Sequence, residues 1–167
     1  MSFFENTKSP AFQRELYKLH YRRIYNTCLR IVGNAMEAEE VMHDVFLKIF
    51  DNIKKIHDEK GFYAWSQSIT IRTAIDRVRK KRIVFESIEK LSVPEEDSPP
   101  EENLTLSVET IKQKLNELPD GYRIIVSMRL FEECEFEEIA AVLKIKESTV
   151  RSQFVRGKQK LAQLLRA

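Results

Sequence analysis

The residues with the clearest chemical use lie near the C-terminus, in FEEIAAVLKIKESTVRSQFVRGKQKLAQLL. Val150, Phe154, Gly157, Leu161 and Leu164 recur at +4, +7, +11 and +14, which is one face of a helix. Ile139, Val142 and Leu143, on a short helix just before, supply its apolar partners. The opposite face then carries Ser148, Arg151, Ser152, Val155, Arg156 and Gln159. Arg, Ser and Gln on a helix lying in the major groove can reach base edges and phosphates. A short helix, a tight turn and a longer helix make a helix-turn-helix pattern. An αα-hairpin with a solvated basic face is the plainer alternative, and the close match to the motif outweighs it.

Two further faces could bind a partner. On a third helix, Phe62, Trp65, Ile69, Arg72, Asp76 and Arg79 form a stripe leading into Lys80, Lys81 and Arg82. Rings that stack bases and cations that meet phosphates suit single-stranded nucleic acid. A core role for Trp65 and Ile69, with Asp76 pairing Arg72 and Lys80 at helical spacing, is the competing reading. On a second helix, Leu47 stands opposite a broad apolar arc, flanked by Glu40, His43, Asp44 and Asp51. One exposed Leu is ordinary, but a Leu ringed by acids could anchor a basic partner.

Catalytic and metal chemistry find no such support. Glu40-x-x-His43 is one copy of a spacing that a di-iron bundle needs twice, with two further inward Glu residues, and it lies on a polar arc. His20 and His57 show no ligand spacing to each other or to Cys28 and Cys134. No phosphate-cradling Gly loop and no nucleophile elbow occur. The two isolated cysteines read as reduced thiols, so the expectation is a cytoplasmic protein that is not an enzyme and holds no metal or cofactor. The N-terminus MSFFENTKSP has no apolar signal region, and no apolar run nears the ~20 residues of a membrane span.

These faces need helices to hold them. The chain of 167 residues has only 4 Gly and 5 Pro, a composition comfortable for helices. Its charge is divided: residues 1–83 carry 16 Lys and Arg against 10 Asp and Glu, residues 84–109 carry 1 against 8, and residues 110–167 carry 11 against 8. Two basic blocks flank an acidic one, and only the basic blocks suit a phosphate backbone. Ser9-Pro10 reads as a cap and first position of a helix reaching about Val32, with Phe12, Leu16, Leu19, Ile24 and Ile31 on its apolar side. Gly33-Asn34 breaks it, and Asn34 with Glu37 opens a second helix to about Lys55, whose apolar arc runs Ala38, Val41, Met42, Val45, Phe46, Ile49, Phe50 and Ile53. Polar Lys54–Gly61 reads as a loop, and the third helix as Phe62–Arg82 with Ala64, Ile71, Ala74, Ile75 and Val78 inward. After it, SVPEEDSPPEEN cannot bury enough apolar area to offset its ordering entropy. The expected fold is therefore all-α: a helical domain over 1–83, a flexible acidic linker over 84–106, and a helix-turn-helix domain over 107–167. Helices of the last domain are expected at about 107–117, 121–132, 136–143 and 148–165.

Taken together, LHYRRIYNTCLRIVGNAMEAEEVMHDVFLKIF, FYAWSQSITIRTAIDRVRKKR, LNELPDGYRIIVSMRL and EFEEIAAVLKIKESTVRSQFVRGKQKL resemble the extracytoplasmic-function (ECF) group of bacterial RNA polymerase sigma factors. The resemblance implies a transcription initiation factor that binds core RNA polymerase and directs it to promoters. It implies that Glu40, His43, Asp44, Leu47 and Lys48 meet the clamp of the polymerase. It places the minus-ten element, as melted single strand, on Lys54–Gly61 and on Trp65, Arg72, Asp76, Arg77, Arg79 and Lys80. It places the minus-thirty-five element, as duplex, on Arg151, Ser152, Gln153 and Arg156, with Lys158 and Lys160 on phosphates. An anti-sigma partner is common among the proteins it resembles. Departures from the usual pattern are His43 for Gln, Arg72 for Asn, Gln153 for a basic residue and Gly157 for Ala. Lys146 stands where a Ser often caps the recognition helix, which moves the expected cap to Ser148. A helix-turn-helix regulator that is not a polymerase subunit is the alternative function, and it would leave the faces of the first domain unused.

Overall fold

A computed structural model describes residues 7–80 and 107–166, and all regular structure among them is helical. The chain divides into two compact units with the boundary after Lys80. The expected linker, residues 84–106, lies outside the described residues, as do Lys81 and Arg82.

In the first unit α1 is Pro10–Val32, α2 Ala35–Asn52 and α3 Glu59–Lys80, each packed against the other two. Ser9 caps α1 through its Oγ, which accepts from the Phe12 N–H at 3.0 Å, ahead of Pro10. The helix ends where Gly33 turns left-handed at φ 77°, donating to the Leu29 carbonyl at 2.8 Å. That conformation is nearly free for Gly and costly for other residues. Asn34 then caps α2, its Oδ1 accepting from Glu37 N–H at 3.1 Å. A short 3-10 turn, Ile53–Lys55, follows α2.

The third helix starts earlier than its polar lead suggests. Asp58 Oδ1 accepts from Gly61 N–H at 2.5 Å and its carbonyl from Phe62 N–H at 3.0 Å, so Asp58 caps a first turn that contains Gly61. The loop expected over Lys54–Gly61 thus shrinks to about Ile56–Asp58. The buried side of α3 also differs from the apolar stripe. It comprises Phe62, Ser66, Thr70, Ile71, Thr73, Ala74, Ile75 and Val78, while Ala64 is exposed. Three hydroxyls enter the interior because each donates to a carbonyl of its own helix: Ser66 to Tyr63 at 3.1 Å, Thr70 to Ser66 at 2.7 Å, and Thr73 to Ile69 at 2.7 Å. A hydroxyl so paired escapes most of the desolvation cost. Arg23 of α1 fastens the same side, donating to Ser66 Oγ and Gln67 Oε1, both at 2.8 Å. The α2 arc is buried as expected apart from half-buried Phe50, whereas Leu19 on α1 is exposed.

In the second unit α4 is Val108–Asn116, α5 Asp120–Leu130, α6 Phe136–Leu143 and α7 Glu147–Arg166. Ser107 caps α4 through Thr110 N–H at 3.2 Å. The helix α5 is buried from Gly121 through Met128, and it packs against α7. Leu115, Leu118, Tyr122, Val126 and Leu161 form a core, with Phe154 and Leu164 against it. Each such aliphatic side chain contributes about 1.5–3 kcal/mol when fully buried. Between α6 and α7 the chain turns through Lys144, left-handed at φ 56°, and α7 begins at Glu147. The Lys146 carbonyl accepts from Val150 N–H at 3.1 Å. Ser148 therefore lies inside the helix and is not its cap.

Candidate nucleic-acid interface

The helix pair α6–α7 has one sealed and one open side. Val150, Gly157 and Leu161 are buried, as are Ile139 and Leu143 opposite them. Gly157 permits the closest approach: a Cβ there would stand 2.7 Å from Val126 Cγ2. Arg151, Ser152, Val155, Lys158 and Lys160 are exposed. Ser152 Oγ donates to the Ser148 carbonyl at 3.0 Å, which leaves its lone pairs outward. Lys158 Nζ lies 5.1 Å from the centre of the Phe154 ring.

Two residues of this set sit differently from expectation. Gln153 is only 5% exposed, because it is three residues after Val150 and four before Gly157 and so shares their sealed stripe. It is not available to read a base from the open face. Arg156 is half-buried beside the core phenol of Tyr122. Burial raises the Tyr122 pKa above its ordinary value, and the Arg156 charge acts against that rise. A long Arg stem can lie along apolar surface while its head reaches water.

Arg151 is held more firmly than its exposure implies. Its Nη2 and Nε both donate to Glu147 Oε1, at 2.6 and 3.2 Å. Its guanidinium carbon lies 4.9 Å from the centre of the Phe136 ring, and that of Arg129 lies 5.0 Å from the same centre. Arg129 in turn donates to the Cys134 carbonyl at 3.2 Å. The Cys134 thiol is pushed up to about 11, first by burial and then by nearby Glu138 and Glu132.

In the first unit, the expected single-strand face is partly rearranged. Phe62 leaves it for the interior, 4.8 Å from the His20 ring, and Trp65 is half-buried against Phe62 at 6.1 Å. Burial and the charge of Arg23 hold His20 below its ordinary pKa. Arg72, Asp76 and Lys80 are exposed, and Arg79 is half-buried. Arg77 turns towards α2: its Nη1 donates to Glu40 Oε2 at 2.8 Å, and its Nη2 stands 3.7 Å from Asp44 Oδ2. The exposed aromatic here is Tyr63, 54% accessible, with the Arg23 guanidinium 4.5 Å from its ring centre. The helix expected from Phe62 already contains Tyr63, but the stripe drawn through Phe62, Trp65 and Ile69 passes it by.

On α2, Leu47 is 63% exposed and Met36 73% exposed. Eleven residues are about three turns, so Met36, Glu40, His43 and Leu47 fall nearly in line. Met36 lies one turn before Glu40, so the spacing of Glu40, His43 and Leu47 carried one turn back reaches it. Lys48, at the edge of this seam, donates to Thr73 Oγ1 at 3.2 Å. No helix of the described residues is long and apolar enough to cross a membrane.

Comparison with known proteins connects both units to one class. Residues 16–83 match the family described as Sigma-70 region 2, and residues 108–161 match Sigma-70, region 4. The chain is 29% identical over 164 residues to the ECF RNA polymerase sigma factor SigW of Bacillus subtilis, covering 91% of this chain and 88% of that one. It is 32% identical over 157 residues to the ECF RNA polymerase sigma factor SigE of Mycolicibacterium smegmatis, covering 90% of this chain and 60% of that one. Among solved structures, the fold is like that of the sigma factor RpoE of Bartonella quintana, crystallised with the anti-sigma factor NepR. The TM-score is 0.58 at 19% identity, over 92% of this chain and 96% of the other.

Proposed function

Since the chain belongs to the ECF group of RNA polymerase sigma factors, we propose that its two helical units divide promoter recognition between melted and duplex DNA. The α2 seam of Met36, Glu40, His43 and Leu47 meets core polymerase, an apolar pair bracketing polar groups on a helix face. Asp44 and Lys48 border it. The face of α3 with Trp65, Arg72, Asp76, Arg79 and Lys80 takes the melted minus-ten strand, and Arg77 braces α2 beside it. The open side of α7 reads the minus-thirty-five duplex through Arg151, Ser152 and Arg156, with Lys158 and Lys160 on phosphates. Phosphate contacts supply affinity and base edges supply sequence choice. The protein works in the cytoplasm with the polymerase, and an anti-sigma factor, as in the complex of the Bartonella relative, is a further candidate partner.

One observation carries this reading: α7 exposes Arg151 and Ser152 while Val150, Gly157 and Leu161 on its other side are sealed. In reconstituted transcription, Arg156→Ala should lower promoter-specific initiation about tenfold, the loss of one good base or phosphate contact. Binding of the variant to core polymerase should be unchanged. Equal loss of both would show that the helix-turn-helix does not do the reading.

A further inference from the structure

The geometry around Arg151 points to a guanine reader set in advance by two neighbours. We infer that Glu147 and Phe136 are positioning residues that fix the Arg151 guanidinium so that its end-on pair of nitrogens faces a guanine of the upstream promoter element. This rests on the reading of α7 as the duplex-recognition helix. An Arg side chain has five N–H donors in a rigid plane. Glu147 Oε1 accepts from Nε and from Nη2, so the side edge of the fork is occupied. Both hydrogens of Nη1 and the second hydrogen of Nη2 remain. One from each nitrogen matches the two acceptors, O6 and N7, that guanine alone presents together in the major groove.

The ring of Phe136 takes a second degree of freedom away. With its centre 4.9 Å from the guanidinium carbon, it lies within the range of cation–π attraction. Phe136 is itself anchored from two directions, 5.3 Å edge-on from Phe154 and 5.0 Å from the Arg129 guanidinium. Arg129 is tied by its bond to the Cys134 carbonyl and by Glu135 at 3.6 Å. The end of α5 and the start of α6 are thus coupled to a side chain on α7. An Arg with a 60% exposed side chain would otherwise sample many rotamers and would favour any phosphate in reach. The Glu147 carboxylate also repels phosphate, which biases the group towards the base edge.

The test is selection of bound promoters from a library randomised across the upstream element, using holoenzyme assembled with the full chain. The wild-type protein should enrich guanine at one position about tenfold over other bases, and Arg151→Ala should abolish enrichment at that position alone. Glu147→Gln should reduce that enrichment severalfold while other positions keep theirs, and should raise binding to unselected duplex. Phe136→Leu should relax the same position. Because Phe136 also packs on Phe154, exposed Glu147→Gln is the deciding variant. If Glu147→Gln leaves the guanine preference intact, the positioning role is overturned and the reading of α7 survives. If Arg151→Ala changes no position, the recognition reading of Arg151 itself fails.

Discussion

At the scale of single residues, the least obvious choices are those that packing forces. Gly157 stands where the resembling family usually has Ala, and Val126 fills the space that a methyl would need. Gly157→Ala gains about 1 kcal/mol of helix propensity and incurs about 1–3 kcal/mol of overpacking, because a core Val has little rotamer freedom. A net loss of about 1 kcal/mol is expected in urea unfolding of the full chain. Combining it with Val126→Ala should cost less than the two single changes added. Unchanged stability of Gly157→Ala would mean that the close approach yields cheaply. Cys134 gives a pH prediction. Its folded pKa, about 11, lies above that of an unfolded thiol, so the fold favours the protonated form. Its contribution is complete below the unfolded value, near 8.5, and is lost as pH rises towards 11. At pH 8 the thiol should react with a disulfide reagent far more slowly in the folded chain than in urea. Equal rates would show that the burial is not maintained in solution.

At the scale of elements, α3 shows how a cap decides which side chains reach a surface. Asp58 satisfies Gly61 N–H and so extends the helix one turn towards its N-terminus, where an acid also suits the macrodipole. Asp58→Ala should destabilise the first unit by about 1 kcal/mol. Amide exchange should rise at Gly61 and Phe62 with little change at Ile75. If the proposed assignment of α3 is right, the same change should slow promoter melting more than polymerase binding, since Tyr63 and Trp65 follow directly. On α2, by contrast, the Arg77 bridge to Glu40 and Asp44 is exposed enough that its removal is worth less than about 1 kcal/mol. Its value lies in placing two carboxylates at the edge of the Met36–Leu47 seam.

At the scale of the whole molecule, the proposed sharing of promoter recognition between two small units makes their linkage matter. In the proposed division of labour, docking of one unit on polymerase makes the DNA contact of the other intramolecular. For a flexible connection the effective concentration of that second contact falls roughly as the −3/2 power of its length. Flexible Gly/Ser inserts of increasing length placed between the units should therefore lower upstream-element occupancy progressively, by up to about threefold per doubling of insert length, with core polymerase affinity unchanged. Footprinting of the upstream element across a series of inserts measures this directly. Occupancy independent of insert length would mean that the two contacts are not coupled through the chain.

Much of the architecture was written in local signals. Ser9-Pro10, Gly33-Asn34 and the polar turn before Glu147 set helix ends that the structure reproduces within a residue or two, because caps and left-handed turns act over three or four residues. Apolar spacing likewise identified the α2 arc and the sealed side of α7, since burial of one face imposes the 3.6-residue period. Only the tertiary structure decided which polar residues go inside and which charges meet. Ser66, Thr70 and Thr73 count as polar in any periodicity, yet their own helix satisfies them and leaves them fit for the interior. The resemblance puts Gln153 on the reading face, and its phase on α7 buries it. The contacts of Arg77 with Glu40 and of Arg151 with Phe136 join residues 37 and 15 positions apart. Such pairings are set by how helices cross, a property of the packed core and not of any stretch of chain.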